Sequence, residues 1–175
     1  LKDLGQSKEA ELSTRKSIEL NPNLFNSHFL LGTILIEQNK LQEAEKHLRK
    51  TIELKPNFAE AHSNLGSILK DLGNLQQAKV STLAALEINP NFAAAHSNLG
   101  GIFTDLGKSK EAELSYRKAL EINPDFAQAH YNLGIILKNL GKLKEAELSY
   151  RKALEINPDF VQALSNLGII LKNLG

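Results

Sequence analysis

The chain has 175 residues, 42 % hydrophobic and 23 % charged, with 21 Lys and Arg against 20 Asp and Glu for a formal charge of +1. That composition suits a folded chain and argues against disorder, and the interleaved charge speaks against nucleic acid or an anionic membrane surface as partner. With no cysteine, disulfides, thiolate metal sites and thiol nucleophiles are excluded, which fits a reducing compartment and makes a cytoplasmic location the expectation. No window approaches the ~18 consecutive apolar residues of a membrane span, and the N-terminus carries no signal-peptide pattern. The first residue is leucine and the chain has no methionine, so it reads as a processed product or a piece of something longer.

Pro22, Pro56, Pro90, Pro124 and Pro158 share one spacing (56 − 22 = 34), and the run KEAELSYRKALEINPDF from Lys110 to Phe126 recurs unchanged from Lys144 to Phe160. A fixed period between ~20 and 50 residues marks a stacked repeat rather than a single core. In chain order, 1–24 reads as the end of one first helix plus a complete second helix. Four full units follow at 25–58, 59–92, 93–126 and 127–160, and 161–175 is a first helix alone. Both ends thus divide a hairpin, and Leu167, Ile170, Leu171 and Leu174 are expected to lack their partner helix.

The unit 93–126 shows the internal logic. Asn91, after Pro90, is a good N-cap residue. Ala93 to Asp105 carries Leu99, Ile102 and Phe103 at helical spacing, with Leu106 just beyond, and Gly107 is the left-handed stop. A second helix from about Ser109 to Ile122 turns Ala112, Tyr116, Ala119, Leu120 and Ile122 inward, and Asn123-Pro124 ends it. Glycine inside a helix costs ~1 kcal/mol against alanine. Its recurrence at Gly32, Gly66, Gly100, Gly134 and Gly168 therefore predicts a closely approaching neighbour, matched by the small Ala44, Ala78, Ala112 and Ala146.

The placed residues resemble the tetratricopeptide repeat. Leu65-Gly66 and Leu99-Gly100 match that family's Leu-Gly, Ala78, Ala112 and Ala146 its mid-unit alanine, Tyr116 and Tyr150 its aromatic, Ala85, Ala119 and Ala153 its later alanine, and the prolines close each unit. The family's tryptophan-type position is held here by His28, His62, His96, His130 and Leu164; in the first full unit Leu30 and Asn39 depart from the asparagine and glycine found elsewhere. The resemblance spans the chain and implies an all-α, right-handed α-α superhelix of helix-turn-helix units that acts as a protein-interaction scaffold. The run AHSNLG (Ala61–Gly66, Ala95–Gly100) is similar to the repeat arm of O-linked N-acetylglucosamine transferases, where an asparagine ladder grips client backbones. Asn64, Asn98, Asn132 and Asn166 are the matching residues. The transferase catalytic domain has no counterpart in the chain.

An amide offers both donor and acceptor and can pair with any peptide group. Packed helices lie ~8–10 Å apart and an extended peptide advances ~3.3 Å per residue. One asparagine per unit would then meet about every third residue of a bound strand; the alternative is that it bonds a neighbouring helix to hold the stack. Residues sharing the asparagine's stripe are Glu60, Ser63, Ser67, Lys70 and Asp71, then Ala94, Ser97, Gly101, Thr104 and Asp105, then Gln128, Tyr131, Ile135, Lys138 and Asn139, and finally Gln162, Ser165, Ile169, Lys172 and Asn173. Acids fall early and lysines late. The expectation is an extended segment whose acidic or apolar part sits near Tyr131 and Lys138.

The repeated histidines sit too far apart for one zinc ion and read as spacers between paired helices with their polar edges satisfied, while His47, alone on a second helix, reads as solvated. Glu11/Arg15, Glu45/Arg49, Glu113/Arg117 and Glu147/Arg151 are solvated i, i+4 pairs worth ~0.2–0.5 kcal/mol each. Unit 59–92 breaks this pattern with Val80, Leu83 and Ala84, as drift or as a second contact site. No catalytic motif is present, and near-identical repeats do not converge unlike residues on one pocket. The sequence thus predicts a non-enzymatic scaffold with no cofactor and no metal, binding a protein or peptide. End-to-end self-association through the ends at Leu1 and Leu174, or a role as the recognition arm of a transferase-like protein, are the alternatives.

Overall fold

The computed structural model describes residues 2–174, with side chains from 7 to 173. Among the described residues there are ten helices and no strand: α1 Lys2–Leu20, α2 Phe25–Glu37, α3 Leu41–Leu54, α4 Ala59–Asp71, α5 Leu75–Ile88, α6 Ala93–Asp105, α7 Ser109–Ile122, α8 Ala127–Asn139, α9 Leu143–Ile156 and α10 Val161–Leu174. They form two compact units, Leu1–Pro90 and Asn91–Gly175. In the first unit α2 pairs with α3 and α4 with α5, α1 packs on α2, and α3 packs on α4. In the second, α6 pairs with α7 and α8 with α9, α7 packs on α8, and α9 packs on α10. Because α2 also touches α4 and α6 touches α8, first helices line one side of each unit and second helices the other.

Each hairpin is closed by the same backbone device. Gly107, at φ 71°, donates its N–H to Thr104 O (3.0 Å), and Lys108 donates to Phe103 O (2.8 Å). These two bonds satisfy carbonyls the helix leaves open, the Schellman closure. Gly73 and Gly141 repeat it, and so does Asn39 at φ 58°, where Lys40 N–H reaches Leu35 O at 2.8 Å. Asparagine tolerates this left-handed region but glycine enters it without a Cβ penalty. Asn39→Gly is therefore expected to raise stability and Gly73→Ala to lower it, each by ~1 kcal/mol, read as opposite shifts of the urea midpoint.

The proline turns between hairpins have their own ties. Asn89, Asn123 and Asn157 are held extended before proline, and the Asn123 Oδ1 accepts the Asp125 N–H at 3.2 Å. Four residues into the following helix, histidine Nε2 donates to the proline carbonyl: His28 to Pro22 (2.9 Å), His62 to Pro56 (2.8 Å) and His130 to Pro124 (2.9 Å). In these three the Nε2 edge is satisfied by the turn the histidine follows.

Four expectations are corrected. The N-cap of α6 is Phe92, without a side-chain cap bond, rather than Asn91; one residue closer to the helix, its extended backbone makes the transition. α1 runs unbroken from Lys2 to Leu20, where the sequence predicts a helix end, a turn and a second helix. Once a helix is nucleated each added residue gains a backbone bond, which favours continuing the ladder. Ile170 is fully buried because it faces α9 in the core of the second unit. Leu171 is 43 % exposed, and Leu1 and the Leu174 side chain lie outside the described residues. Finally, His47 is not solvated: its Nδ1 lies 3.0 Å from that of His28.

Most of the helical glycines do meet a close neighbour, and the nearest atoms belong to a side chain one turn beyond the facing alanine. A Cβ at Gly100 would lie 2.8 Å from the Tyr116 ring, one at Gly134 2.6 Å from the Tyr150 ring, and one at Gly32 3.1 Å from Leu48. At Gly66 the neighbours are the Thr82 side chain and Ala78 O. Gly168 has open space. Ala44, Ala78, Ala112 and Ala146, all fully buried, let the second helix come near enough for that residue to cross the glycine.

The surface pairs also reach further than their spacing shows. Arg15 bonds Glu11 (2.8 Å) and Glu43 (2.6 Å), and Arg117 bonds Glu113 (2.9 Å) and Glu145 (2.6 Å). Lys142 adds 2.9 Å to Glu113, and Lys40 3.4 Å to Glu11. Each of these arginines thus links two successive second helices. At the junction of α3 and α5 the acid is replaced and Arg49 bonds Gln77 at 3.0 Å.

Candidate functional site

The first-helix face is what packing leaves over. On α8, Ala129, Leu133, Gly134, Ile136 and Leu137 are buried, with Leu133, Ile136 and Leu137 joining Tyr150, Ala146 and Ile170 in the core of the second unit. The remaining face carries Gln128, Tyr131, Asn132, Ile135, Lys138 and Asn139. Gln128 and Asn139 are exposed and the others half-buried. α10 adds half-buried Asn166, Ile169 at 49 % exposure, and exposed Lys172. On α6 the corresponding face offers Asn98 and Gly101, half-buried, and exposed Asp105.

The ladder amides of Asn132 and Asn166 are engaged within the protein. Asn132 Oδ1 accepts from Gln128 Nε2 at 3.0 Å, and with Thr104 it stands within bonding reach of the Tyr116 hydroxyl. Asn166 Nδ2 donates to the Tyr131 hydroxyl across 3.4 Å, at the long end of hydrogen bonding. Tyr131 is itself a joint, its ring 4.8 Å from Phe160 and 6.0 Å from Tyr150. An amide has two donors and two acceptor positions, so one or two internal bonds leave capacity for a ligand. Holding the stack and gripping a peptide are compatible at these residues.

The two tyrosines of the repeated stretch part company here. Burial raises the Tyr116 hydroxyl pKa, against the pull of Thr104 and Asn132. Tyr150 is raised to about 12 by burial and then by Tyr131, and its buried hydroxyl has no partner.

In the first unit, Asn64 and Ser67 are half-buried on α4, Glu60 is exposed, and Lys70 bonds Asp71 at 2.9 Å. Ser63 is 1 % exposed and Ser97, in the second unit, 8 %; both are interior, because small side chains at that position let neighbouring helices close over them. They offer no surface, a correction to their place among the candidates. At the ladder position of α2, where asparagine is replaced, Leu30 is 50 % exposed and gives the first-helix face of the first unit an aliphatic side chain.

On the opposite side, α5 exposes Val80 at 68 % and Leu83 at 38 %. Val80 borders a notch of about 390 Å³ that Ile52, His62, Leu65 and Ala84 also line. The equivalent notch in the second unit is rimmed by Arg117, Glu121 and Lys152. Among the described residues no cluster of three metal-ligating side chains occurs, and no helix is long and apolar enough to cross a membrane.

Family models described as tetratricopeptide repeat match residues 14–46, 59–92, 127–160 and 149–175, and one described as TPR repeat matches 32–73 and 100–141. Among solved structures, the chain is similar to MamA (TM-score 0.76, 25 % identity, 92 % of this chain and 94 % of that one). It is also similar to TTC0263, a thermophilic TPR protein of Thermus thermophilus (0.79, 22 %, 98 % and 93 %), and to YrrB, described as a TPR protein with an unusual peptide-binding site (0.70, 23 %, 94 % and 85 %). No curated protein matches the chain.

Proposed function

The chain belongs to the tetratricopeptide repeat family, and from that premise we propose that it is a protein-interaction scaffold whose first-helix face holds an extended polypeptide segment. The observation that carries this is the division of labour on α8: one side is consumed by the core, while the other presents amide, aliphatic, aromatic and ammonium groups in a strip that α10 continues with Asn166, Ile169 and Lys172. Backbone capture falls to Asn98, Asn132 and Asn166 in the second unit and, separately, to Asn64 in the first. Selectivity falls to the residues that change between units, Gly101 against Ile135 and Asp105 against Asn139. A segment with an aliphatic residue followed by a carboxylate suits Ile135 and Lys138. YrrB, described by its peptide-binding site, lends the reading support.

The test is fluorescence anisotropy with a labelled peptide alternating leucine and aspartate, against one alternating leucine and lysine. The acidic peptide is expected to bind more tightly. Lys138→Ala and Tyr131→Ala should each weaken it about fivefold, equivalent to ~1 kcal/mol, and the Lys138 effect should shrink in high salt. If both variants bind as the parent does, with circular dichroism confirming their fold, the placement on α8 is wrong.

A further inference from the structure

The histidine near the start of each first helix has a partner of its own kind at one place. His28 Nε2 faces the Pro22 carbonyl at 2.9 Å, and His28 Nδ1 faces His47 Nδ1 at 3.0 Å. A carbonyl can only accept, so His28 carries its proton on Nε2 and its Nδ1 is a bare acceptor. His47 must therefore donate from Nδ1, which leaves its own Nε2 as the free lone pair. Elsewhere in the series the sequence position facing the histidine is held by a different residue: Ser81 corresponds to His62, and Ser149 to His130 (47 − 28 = 81 − 62 = 149 − 130 = 19). The pair joins α2 to α3, and through Pro22 it also fixes the turn that follows α1.

We propose that the His28–His47 bond is a pH-sensitive joint that makes the α2–α3 hairpin loosen on mild acidification while the α8–α9 hairpin does not. The proton count carries the argument. A first proton enters at His47 Nε2 and leaves the Nδ1–H···Nδ1 bond intact. A second would have to sit on His28 Nδ1, where the bonding proton already points, so two N–H groups would meet head-on and the bond would break. In the unfolded chain His47 takes up its proton through the ordinary histidine range near ~6.5, whereas in the closed hairpin burial and the facing His28 ring hold that uptake to lower pH. Wherever the open state binds more protons, stability falls as pH falls. The loss therefore begins as pH drops through ~6.5 and continues below it.

The surroundings act in the same direction. His47 is half-buried, and it lines a cavity of about 230 Å³ with Arg15, Ile18, Glu19 and Leu31. Burial first, then His28, hold His47 below its ordinary pKa, with Arg15 and Lys46 adding to that effect and Glu43 opposing it. Glu43 is committed to Arg15 at 2.6 Å, and Glu19 to Lys16 at 2.8 Å, so neither is an unpaired counter-charge for a doubly protonated pair.

Amide hydrogen exchange of the full chain, corrected for intrinsic rates, tests this between about pH 7.5 and 5, a span that brackets the histidine range. Repeat arrays open locally, so the hairpins can be read separately. The opening constant of α2 and α3 is expected to rise relative to that of α8 and α9, approaching about tenfold per pH unit for one unmatched proton. His47→Ser, which installs the residue found at Ser81 and Ser149, should remove the difference. Equal pH slopes in the two hairpins of the parent would overturn the proposal, as would an unchanged slope in His47→Ser.

Discussion

Gly134→Ala is expected to destabilise the protein by ~1–2 kcal/mol, while the same change at Gly168 stabilises it by ~1 kcal/mol. The two glycines occupy equivalent positions in their repeats, and alanine is favoured in a helix by ~1 kcal/mol at both. What differs is the space beyond Cα. A methyl at Gly134 would sit 2.6 to 3.0 Å from three ring atoms of Tyr150. That ring is fully buried, so relief requires shifting α9, and overpacking of this kind costs ~1–3 kcal/mol. At Gly168 nothing lies within 4 Å, so only the helical gain remains. Urea unfolding followed by circular dichroism reads both. Placing Gly134→Ala in a Tyr150→Leu background should recover part of the loss, because the Gly32–Leu48 contact, at 3.1 Å, shows that leucine lies less tightly there. Two independent, additive losses would mean that the ring is not what the glycine accommodates.

Tyr150 is the other large lever. Tyr150→Ala empties a fully buried site and should cost ~3–5 kcal/mol, the range for losing a buried aromatic. Tyr150→Phe keeps the ring and deletes a hydroxyl that is buried without a partner. Leaving a polar group buried and unbonded costs ~1–3 kcal/mol, so its removal should be neutral or stabilising. Tyr116→Phe is the control: its hydroxyl has Thr104 and Asn132 in reach, and its loss should cost ~0.5–1.5 kcal/mol. The order Tyr116→Phe below parent, Tyr150→Phe at or above it, is the outcome to look for. Equal losses at both would show that Tyr150 has found a partner in solution.

Much was legible in the residues alone. The period, the helices Ala93–Asp105 and Ser109–Ile122, the left-handed stop at Gly107 and the extended asparagine before Pro90, Pro124 and Pro158 all follow from local chemistry: apolar spacing, absence of a Cβ and the proline ring. Asn39 in place of glycine was readable for the same reason, since a left-handed turn needs one of a few residues. The site was legible only as a stripe. Its register on α8 came from helical spacing, but the burial of Ser63 and Ser97 did not, because spacing names a face and not the height of what packs beside it.

The residues from Lys110 to Phe126 and from Lys144 to Phe160 are letter for letter the same, and this sets the limit. By itself the sequence determined the all-helical repeat, the hairpin closures and the presence of a close neighbour at most of the helical glycines, since these depend on residues within one hairpin. Tertiary structure decided everything that depends on what stands next to the hairpin. One identical tyrosine has partners in reach and the other is orphaned, and Arg117 reaches Glu145 across to the next second helix. Local propensity repeats with the letters; burial and pairing depend on neighbours, and the neighbours are where the repeats differ.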